Sequence, residues 1–275
     1  ISALTLTWLF VAYLPGMTPL DLFLDGSVIL KLVQMGIVLA GLLALIGGAV
    51  LLVNMRLLFD AGYAADQFAT PGTASITMAM MDEGTTQRDA LGLSAELERL
   101  GAELSTGANL DQCSVSLSVL TSQLAPALDV MADVVQNPSF SQDELDRMKP
   151  RWIASIAQEK NRPGSLAFRL LPPLLYGDQH AYSQPLTGSG TERSVQAMQR
   201  EDLQTFHQQW IRPGGATMIV VGDIDMATLK PLLEARFGSW TAPATPPLAK
   251  ELHTVATQDH PRVFLIDKPR AEQSV

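Results

Sequence analysis

The sequence predicts an α+β fold, in which helices pack on an antiparallel sheet, preceded by a transmembrane helix. Two predicted strands, at residues 102–106 and 113–120, are separated by a short turn, whereas parallel strands would need a crossover of a dozen or more residues. Because these two strands follow one another without a helix between them, the pattern favours α+β over a doubly wound parallel sheet. The transmembrane helix is predicted from a long uncharged run near the beginning of the chain.

That run covers residues 32–53 and contains one polar side chain, Gln34, and no charge. At about 1.5 Å per residue, a helix of this length crosses a hydrocarbon core of roughly 30 Å. Lys31 and Arg56 flank the run and can extend to lipid headgroups. We therefore predict a spanning helix at about residues 30–54. The alternative is a buried helix of a soluble domain, which would carry a polar stripe; a signal peptide would be shorter and start earlier.

A second apolar run, residues 1–14, is too short to span a bilayer and begins with Ile rather than Met. We interpret it as the cut end of another spanning helix, and the chain as a fragment. One basic residue at each end of the long run leaves its orientation open. We expect a membrane protein whose globular part lies on the periplasmic or extracytoplasmic side.

The globular part, residues 58–275, carries the whole net charge of −9, because the four charged side chains before it cancel. A protein that grips nucleic-acid phosphates needs clustered positive charge, so we expect no nucleic-acid partner. The single cysteine, Cys113, excludes an intramolecular disulfide and a multi-cysteine metal cluster.

Local signals divide this globular part into elements. Thr70 as N-cap and Pro71 at the first helical position predict a helix that ends near Asp82. Residues 113–120 alternate apolar and serine side chains, which is typical of a half-buried strand. Further helices are predicted at residues 89–100, 121–135, 141–160, 165–176, 200–209 and 226–237, and further strands at 57–63, 216–221 and 262–266.

Two finer predictions concern the helix at 141–160 and the segment at 241–250. Ser141 and Glu144 have the spacing of a capping box, and Pro150 predicts a kink. Residues 241–250 are rich in proline and alanine, which indicates a linker.

Residues 57–275 contain two groups of short motifs. The first group is Phe59-Asp-Ala-Gly-Tyr, Pro71-Gly72, Asp82-Glu-Gly-Thr85 and Leu100-Gly-Ala102. The second group is Leu175-Tyr-Gly-Asp-Gln-His-Ala-Tyr182, Gly188-Ser-Gly-Thr191, Val220-Val-Gly-Asp223 and Arg236-Phe-Gly-Ser-Trp240. Each motif alone is weak, but the ordered set resembles the pitrilysin/insulinase family of metallopeptidases.

The resemblance implies that the zinc chemistry of this family is missing here. In the family a helix carries H-x-x-E-H, where two histidines bind zinc and the glutamate activates water. The corresponding positions are Ser75, Met78 and Ala79, which can neither bind zinc as imidazole does nor act as a general base. The family's third ligand, a glutamate, falls near Ala154 or Ser155, with Glu159 about a turn away.

We therefore expect the zinc-free half of such a peptidase, with no metal or cofactor in this chain and zinc in a partner half. The histidines are far apart in the sequence and form no candidate metal site; they are His180, His207, His253 and His260.

The resemblance also implies a pair of substrate-binding residues. In zinc-free halves an arginine and a tyrosine seven residues apart on one helix reach toward the substrate, and Arg169 and Tyr176 have that spacing. Seven residues is nearly two turns, so both side chains share a face, where they can hydrogen-bond the oxygen of the scissile peptide. Pro172 and Pro173 weaken the argument because proline distorts helices. We expect both side chains to be partly exposed on the concave side of the sheet, with no carboxylate on the guanidinium. A surface arginine and a packed tyrosine are the alternative.

The expected organisation is a membrane-embedded segment (1–56), a peptidase-like subdomain (57–240), a linker (241–261) and the start of a truncated second subdomain (262–275). The expected function is the zinc-free, substrate-binding part of a metalloendopeptidase. Its partners would be a peptide substrate, a zinc-bearing homologous half and the lipid bilayer. The alternatives are a non-catalytic, membrane-anchored binding or assembly subunit, and a chain whose apolar head is the functional part.

Overall fold

The computed structural model describes residues 52–255 and 260–265. The strands within them are β1 (Leu52–Phe59), β2 (Glu103–Ala108), β3 (Cys113–Leu120) and β4 (Ala216–Gly222). The α-helices are α1 (Thr73–Met81), α2 (Ala90–Leu100), α3 (Leu124–Gln136), α4 (Gln142–Asn161), α5 (Pro163–Tyr176), α6 (Glu192–Ala197), α7 (Arg200–Trp210) and α8 (Met226–Phe237). Short 3₁₀ turns cover Tyr63–Phe68, Thr121–Gln123, Ala181–Ser183 and Pro213–Gly215.

The four strands form one antiparallel sheet in the order β2-β3-β1-β4. Phe59 pairs with Cys113 on one side and with Ala216 on the other, which fixes the register of the three strands. One face of the sheet is buried beneath α1 and α3, and α7 packs against α1. The other face carries the half-buried serines of β3 and the exposed Asn54 and Arg56 of β1. The predicted antiparallel α+β arrangement is therefore confirmed.

The predicted spanning helix at about residues 30–54 lies outside the described residues, except at its end. There the prediction is wrong, because residues 52–54 belong to β1. Val53 is buried and pairs with both Val119 and Gly222, so this end of the apolar run is a central strand of the sheet. Among residues 52–255 and 260–265, no helix has the length and hydropathy needed to cross a bilayer.

Helix α1 begins by a mechanism that the sequence signals did not reveal. Its N-cap is Gly72 rather than Thr70, and glycine has no side chain that could accept a hydrogen bond from the first turn. The cap is instead supplied by Asp66, whose two carboxylate oxygens accept the N–H groups of Gly72 at 2.7 Å and Ala74 at 2.8 Å. Asp66 is buried at the positive end of the helix, where a carboxylate is favoured by the helix dipole.

Other local predictions at helix ends are also revised. Ser141 is the N-cap of α4, but its side chain makes no capping hydrogen bond, so the predicted capping box does not form. Helix α4 continues through Pro150 to Asn161, and Pro163 begins α5 instead of only ending the helix before it. Helix α6 was not predicted; it starts with a capping box in which Thr191 and Ser194 exchange hydrogen bonds.

Residues 241–255, the strap, contain no helix or strand but are attached to the subdomain. The Arg212 guanidinium donates to the carbonyls of Pro243 at 2.8 Å and Thr245 at 2.6 Å. Further along, Lys250 Nζ lies 2.5 Å from Asp60 Oδ1 and donates to the Asp111 carbonyl at 2.8 Å. The first part of the predicted linker is thus held in place. Residues 262–265 do not form the predicted strand.

The Asp66 cap predicts a pH dependence of stability. Burial raises the pKa of Asp66 to about 7, although the N–H groups of Ala74 and Gly72 lower it in part. Between pH 4 and 7, roughly, the folded chain keeps a proton that the unfolded chain loses, so the free energy of unfolding falls as pH rises. From the shifted pKa the loss is about 4 kcal/mol across that range.

Urea unfolding of the wild type and Asp66→Asn at several pH values from 4 to 8 tests this. The variant loses one acceptor for the helix cap and should be less stable at pH 4, but its stability should fall less steeply with pH. Parallel pH profiles for the two proteins would contradict the assignment.

Candidate functional site

The positions that correspond to the zinc motif lie on α1, at the part of the sheet formed by β2 and β3. Ser75 and Ala79 are half-buried and Met78 is fully buried in the core. The Met78 carbonyl accepts the Thr106 hydroxyl from β2 at 2.6 Å, which attaches this turn of the helix to the sheet. Met78, the position expected to correspond to the catalytic glutamate, is therefore part of the core.

The loop 187–190 closes over the beginning of α1. A Cβ on Gly188 would come within 2.8 Å of the Ser75 hydroxyl, and one on Gly190 within 2.3 Å of the Pro71 carbonyl. Both glycines have positive φ, which other residues adopt at a cost. The loop backbone therefore rests directly on the position that corresponds to the first zinc ligand.

Glu159 is the carboxylate of α4 that points at this loop. Ala154 and Ser155, the positions expected to correspond to the third zinc ligand, are exposed on α4. Glu159 Oε2 instead accepts from Arg169 Nη1 at 2.7 Å and from the Ser189 hydroxyl at 2.8 Å. Among the described residues, no group of three or more His, Cys, Asp or Glu could hold a metal ion.

Arg169 lies inside this network and not on the surface. Its side chain is 6% exposed, and besides Glu159 it donates to the Ser189 hydroxyl at 2.6 Å and to the Gly190 carbonyl. The expectation of a partly exposed guanidinium without a carboxylate partner is wrong. The physical reason is that α4 and α5 pack side by side, which brings Glu159 against Arg169.

Tyr176 ends the same helix but has a different environment. It is 36% exposed, and its hydroxyl has no hydrogen-bond partner among the described residues. Its ring stacks on His180, with centroids 5.1 Å apart, and meets Tyr182 edge-on at 5.7 Å. Helix α5 thus brings one member of the predicted pair to the surface and buries the other.

The histidines do not form a metal site in the described residues, but two of them meet. His180 Nε2 lies 3.0 Å from the backbone carbonyl of His253, while the His253 ring points to Glu251. His207 lies elsewhere, beside Phe140, and burial lowers its pKa. The roles of His180 and Tyr182 were missed, although both belong to the motif Leu175–Tyr182 that carried the family resemblance.

The antiparallel sheet with its packed helices is a peptidase-type fold, and α1 carries no His, Cys, Asp or Glu. Residues 51–188 match the family profile described as Insulinase (Peptidase family M16), and residues 197–275 match the profile of the peptidase M16 inactive domain. The chain belongs to the insulinase family.

Individual relatives agree with this assignment. An uncharacterized zinc protease of Mycobacterium tuberculosis is 28% identical over 210 residues, which are 76% of this chain and 47% of the relative. Subunit beta of the mitochondrial-processing peptidase of Lentinula edodes is 26% identical over 192 residues, 68% of this chain and 40% of the relative. The chain therefore spans about half the length, or less, of these curated relatives.

Solved structures show the same fold. A peptidase M16 inactive domain from Pseudomonas fluorescens superposes with a TM-score of 0.69 at 29% identity, over 75% of this chain and 49% of that one. The periplasmic protease PqqL of Escherichia coli superposes with a TM-score of 0.63 at 20% identity, over 74% of this chain and 23% of that one. The second likeness concerns the fold alone.

The buried pair predicts a stability effect that a surface pair would not give. Glu159→Gln keeps a hydrogen-bond acceptor for Arg169 but leaves the buried guanidinium without its countercharge. We expect a loss of about 2 kcal/mol in the free energy of unfolding, between the values for exposed and fully buried pairs.

Urea denaturation measures this loss, and Glu144→Gln is the matched control. Glu144 pairs with Arg147 on the exposed side of the same helix, where a pair contributes at most about 1 kcal/mol. Equal losses in the two variants would show that the Glu159–Arg169 pair has no special structural role.

Proposed function

We propose that this chain is the zinc-free, substrate-binding part of a two-part metalloendopeptidase, in which Tyr176 contacts the peptide and a separate half supplies the zinc. The observation that carries the proposal is the environment of Tyr176. Its ring is held by two aromatic neighbours, while its hydroxyl has no hydrogen-bond partner among residues 52–255 and 260–265. Membership of the family and the match to its inactive domain support the proposal that one half binds substrate and another half carries the zinc.

The chemistry of Tyr176 suits a peptide. A phenol can donate one hydrogen bond to a carbonyl oxygen, and that bond strengthens when the oxygen gains negative charge during attack by water. The exposed surface of α5 is apolar and includes Phe168, Leu171 and Leu175. The one charged residue of this helix, Arg169, faces inward. This surface can accommodate apolar side chains of an extended peptide.

Arg169 enters the proposal in a changed role. It attaches α5 to Glu159 of α4 and to the loop 187–190, so it fixes the helix that presents Tyr176. We propose that it acts as a positioning residue while its guanidinium stays in this network. Direct contact of Arg169 with substrate would require the ion pair with Glu159 to open.

A second candidate function is a non-catalytic binding or assembly subunit. The observation that favours it is the same buried guanidinium, because a residue with all these internal partners serves folding without any substrate. The two candidates differ in whether Tyr176 affects turnover.

The test is Tyr176→Phe in a complex reconstituted with a homologue that carries an intact H-x-x-E-H motif. The variant keeps the ring and removes the hydroxyl, so folding should be unaffected while kcat on a fluorogenic peptide falls. Losing one donor to the developing oxyanion costs about 2.7–4 kcal/mol, roughly 100- to 1000-fold in rate.

Tyr63→Phe is the matched control, because the Tyr63 hydroxyl donates to the Leu186 carbonyl at 2.7 Å and is used within the fold. It should lower stability and leave kcat unchanged. Unchanged turnover in Tyr176→Phe, in a complex that hydrolyses the peptide, would favour the non-catalytic subunit.

A further inference from the structure

We infer that His180 and Tyr182 are positioning residues for Tyr176, and that the strap completes their arrangement. The inference rests on the proposed role of Tyr176 and extends it to residues that do not themselves contact substrate. It follows from ring geometry, hydrogen bonds and burial around the end of α5.

The first step is the stack between Tyr176 and His180. The two rings are nearly parallel, 18° apart, with centroids at 5.1 Å. His180 is 8% exposed, whereas Tyr176 is 36% exposed, so a buried ring supports a surface ring. The phenol ring therefore has a support on one face, while its hydroxyl makes no hydrogen bond to a described residue.

Both ring nitrogens of His180 make hydrogen bonds. Nδ1 accepts the backbone N–H of Tyr182 at 3.0 Å, so in the neutral ring the proton lies on Nε2. Nε2 then donates to the carbonyl of His253 in the strap at 3.0 Å. Two bonds in opposite directions fix the plane of the imidazole, and through the stack they fix the plane of Tyr176.

The third step is the edge contact from Tyr182. Its ring meets Tyr176 at 81° and His180 at 65°, which are favourable edge-to-face arrangements. Its hydroxyl donates to Asp111 at 2.9 Å, in the turn between β2 and β3. The carboxylate of Asp111 raises the pKa of Tyr182, which keeps the phenol protonated as a donor.

The strap is attached both to Asp111, the partner of Tyr182, and to His180. Lys250 binds the Asp111 carbonyl and Asp60, and its side chain is almost fully buried. Three residues later, His253 receives the hydrogen bond from His180. Displacement of the strap would remove support from both His180 and Tyr182, so the chain that follows α8 contributes to the orientation of Tyr176.

The experiment uses ¹⁹F NMR of the full chain labelled with 3-fluorotyrosine. The chain has four tyrosines, and the Tyr176 resonance is assigned by its disappearance in Tyr176→Phe. His180→Asn keeps an acceptor for the Tyr182 N–H but removes the stacking ring, whereas His180→Phe keeps a ring and removes both hydrogen bonds. We expect His180→Asn to narrow the Tyr176 resonance and move it toward the position of free tyrosine, and His180→Phe to change it less.

Tyr182→Leu tests the same point without altering the hydrogen bonds of His180, and it decides the matter if His180→Asn does not fold. Lys250→Met should shift the Tyr176 resonance. The control Lys230→Met should not, because Lys230 and its partner Glu234, 3.7 Å away, are both exposed on α8. An unchanged Tyr176 resonance in folded His180→Asn or Tyr182→Leu would overturn the inference.

Binding of fluorescein-labelled casein peptides separates this inference from the proposed function. If Tyr176 contacts peptide, His180→Asn should weaken binding about 2- to 12-fold, which corresponds to the 0.5–1.5 kcal/mol of an aromatic pair. A wild-type chain that binds no peptide, alone or with its zinc-bearing partner, would refute the proposed function. The NMR result would still decide whether His180 and Tyr182 hold Tyr176.

Discussion

The ion pair between Glu159 and Arg169 is the interaction on which the arrangement of the site depends. It joins α4 to α5, and through Ser189 and Gly190 it joins both helices to the loop that rests on α1. A buried guanidinium is tolerated only when its donors are satisfied, so the loop and both helices must take up one mutual arrangement. That arrangement leaves the end of α5, and therefore Tyr176, at the surface.

The degenerate motif has a consequence for packing as well as for chemistry. Met78 fills core space, and the loop at Gly188 lies so close to Ser75 that a Cβ there would come within 2.8 Å of its hydroxyl. The beginning of α1 is instead stabilised by Asp66 from within the subdomain. Helix α1 thus contributes to the core of the subdomain through Met78 and to the seat of the loop 187–190 through Ser75.

The sequence predicted the elements that have strong local signals. Residues 113–120 alternate cleanly and form β3, and the helix predicted at residues 226–237 is α8. Predictions failed where the local structure or the burial of a residue depends on residues elsewhere in the chain. Asp66 caps a helix from six residues upstream. Leu52 and Val53 are apolar and belong to β1, which lies between β3 and β4 in the sheet; hydropathy alone cannot distinguish such residues from the end of a membrane helix. The burial of Arg169 depends on Glu159, ten residues away on another helix, so spacing along α5 could not reveal it.

The central claim is that peptide binds at the surface around Tyr176. The most direct measurement is photo-cross-linking with p-benzoylphenylalanine at position 176, using fluorescein-labelled casein peptides and the chain together with a zinc-bearing homologue. The same photoreactive residue at position 91 is the control, because Leu91 is 82% exposed on α2. We expect a strong cross-link at 176 that unlabelled peptide suppresses, and little at 91. Equal labelling at both positions, or labelling at 176 that unlabelled peptide does not suppress, would contradict it.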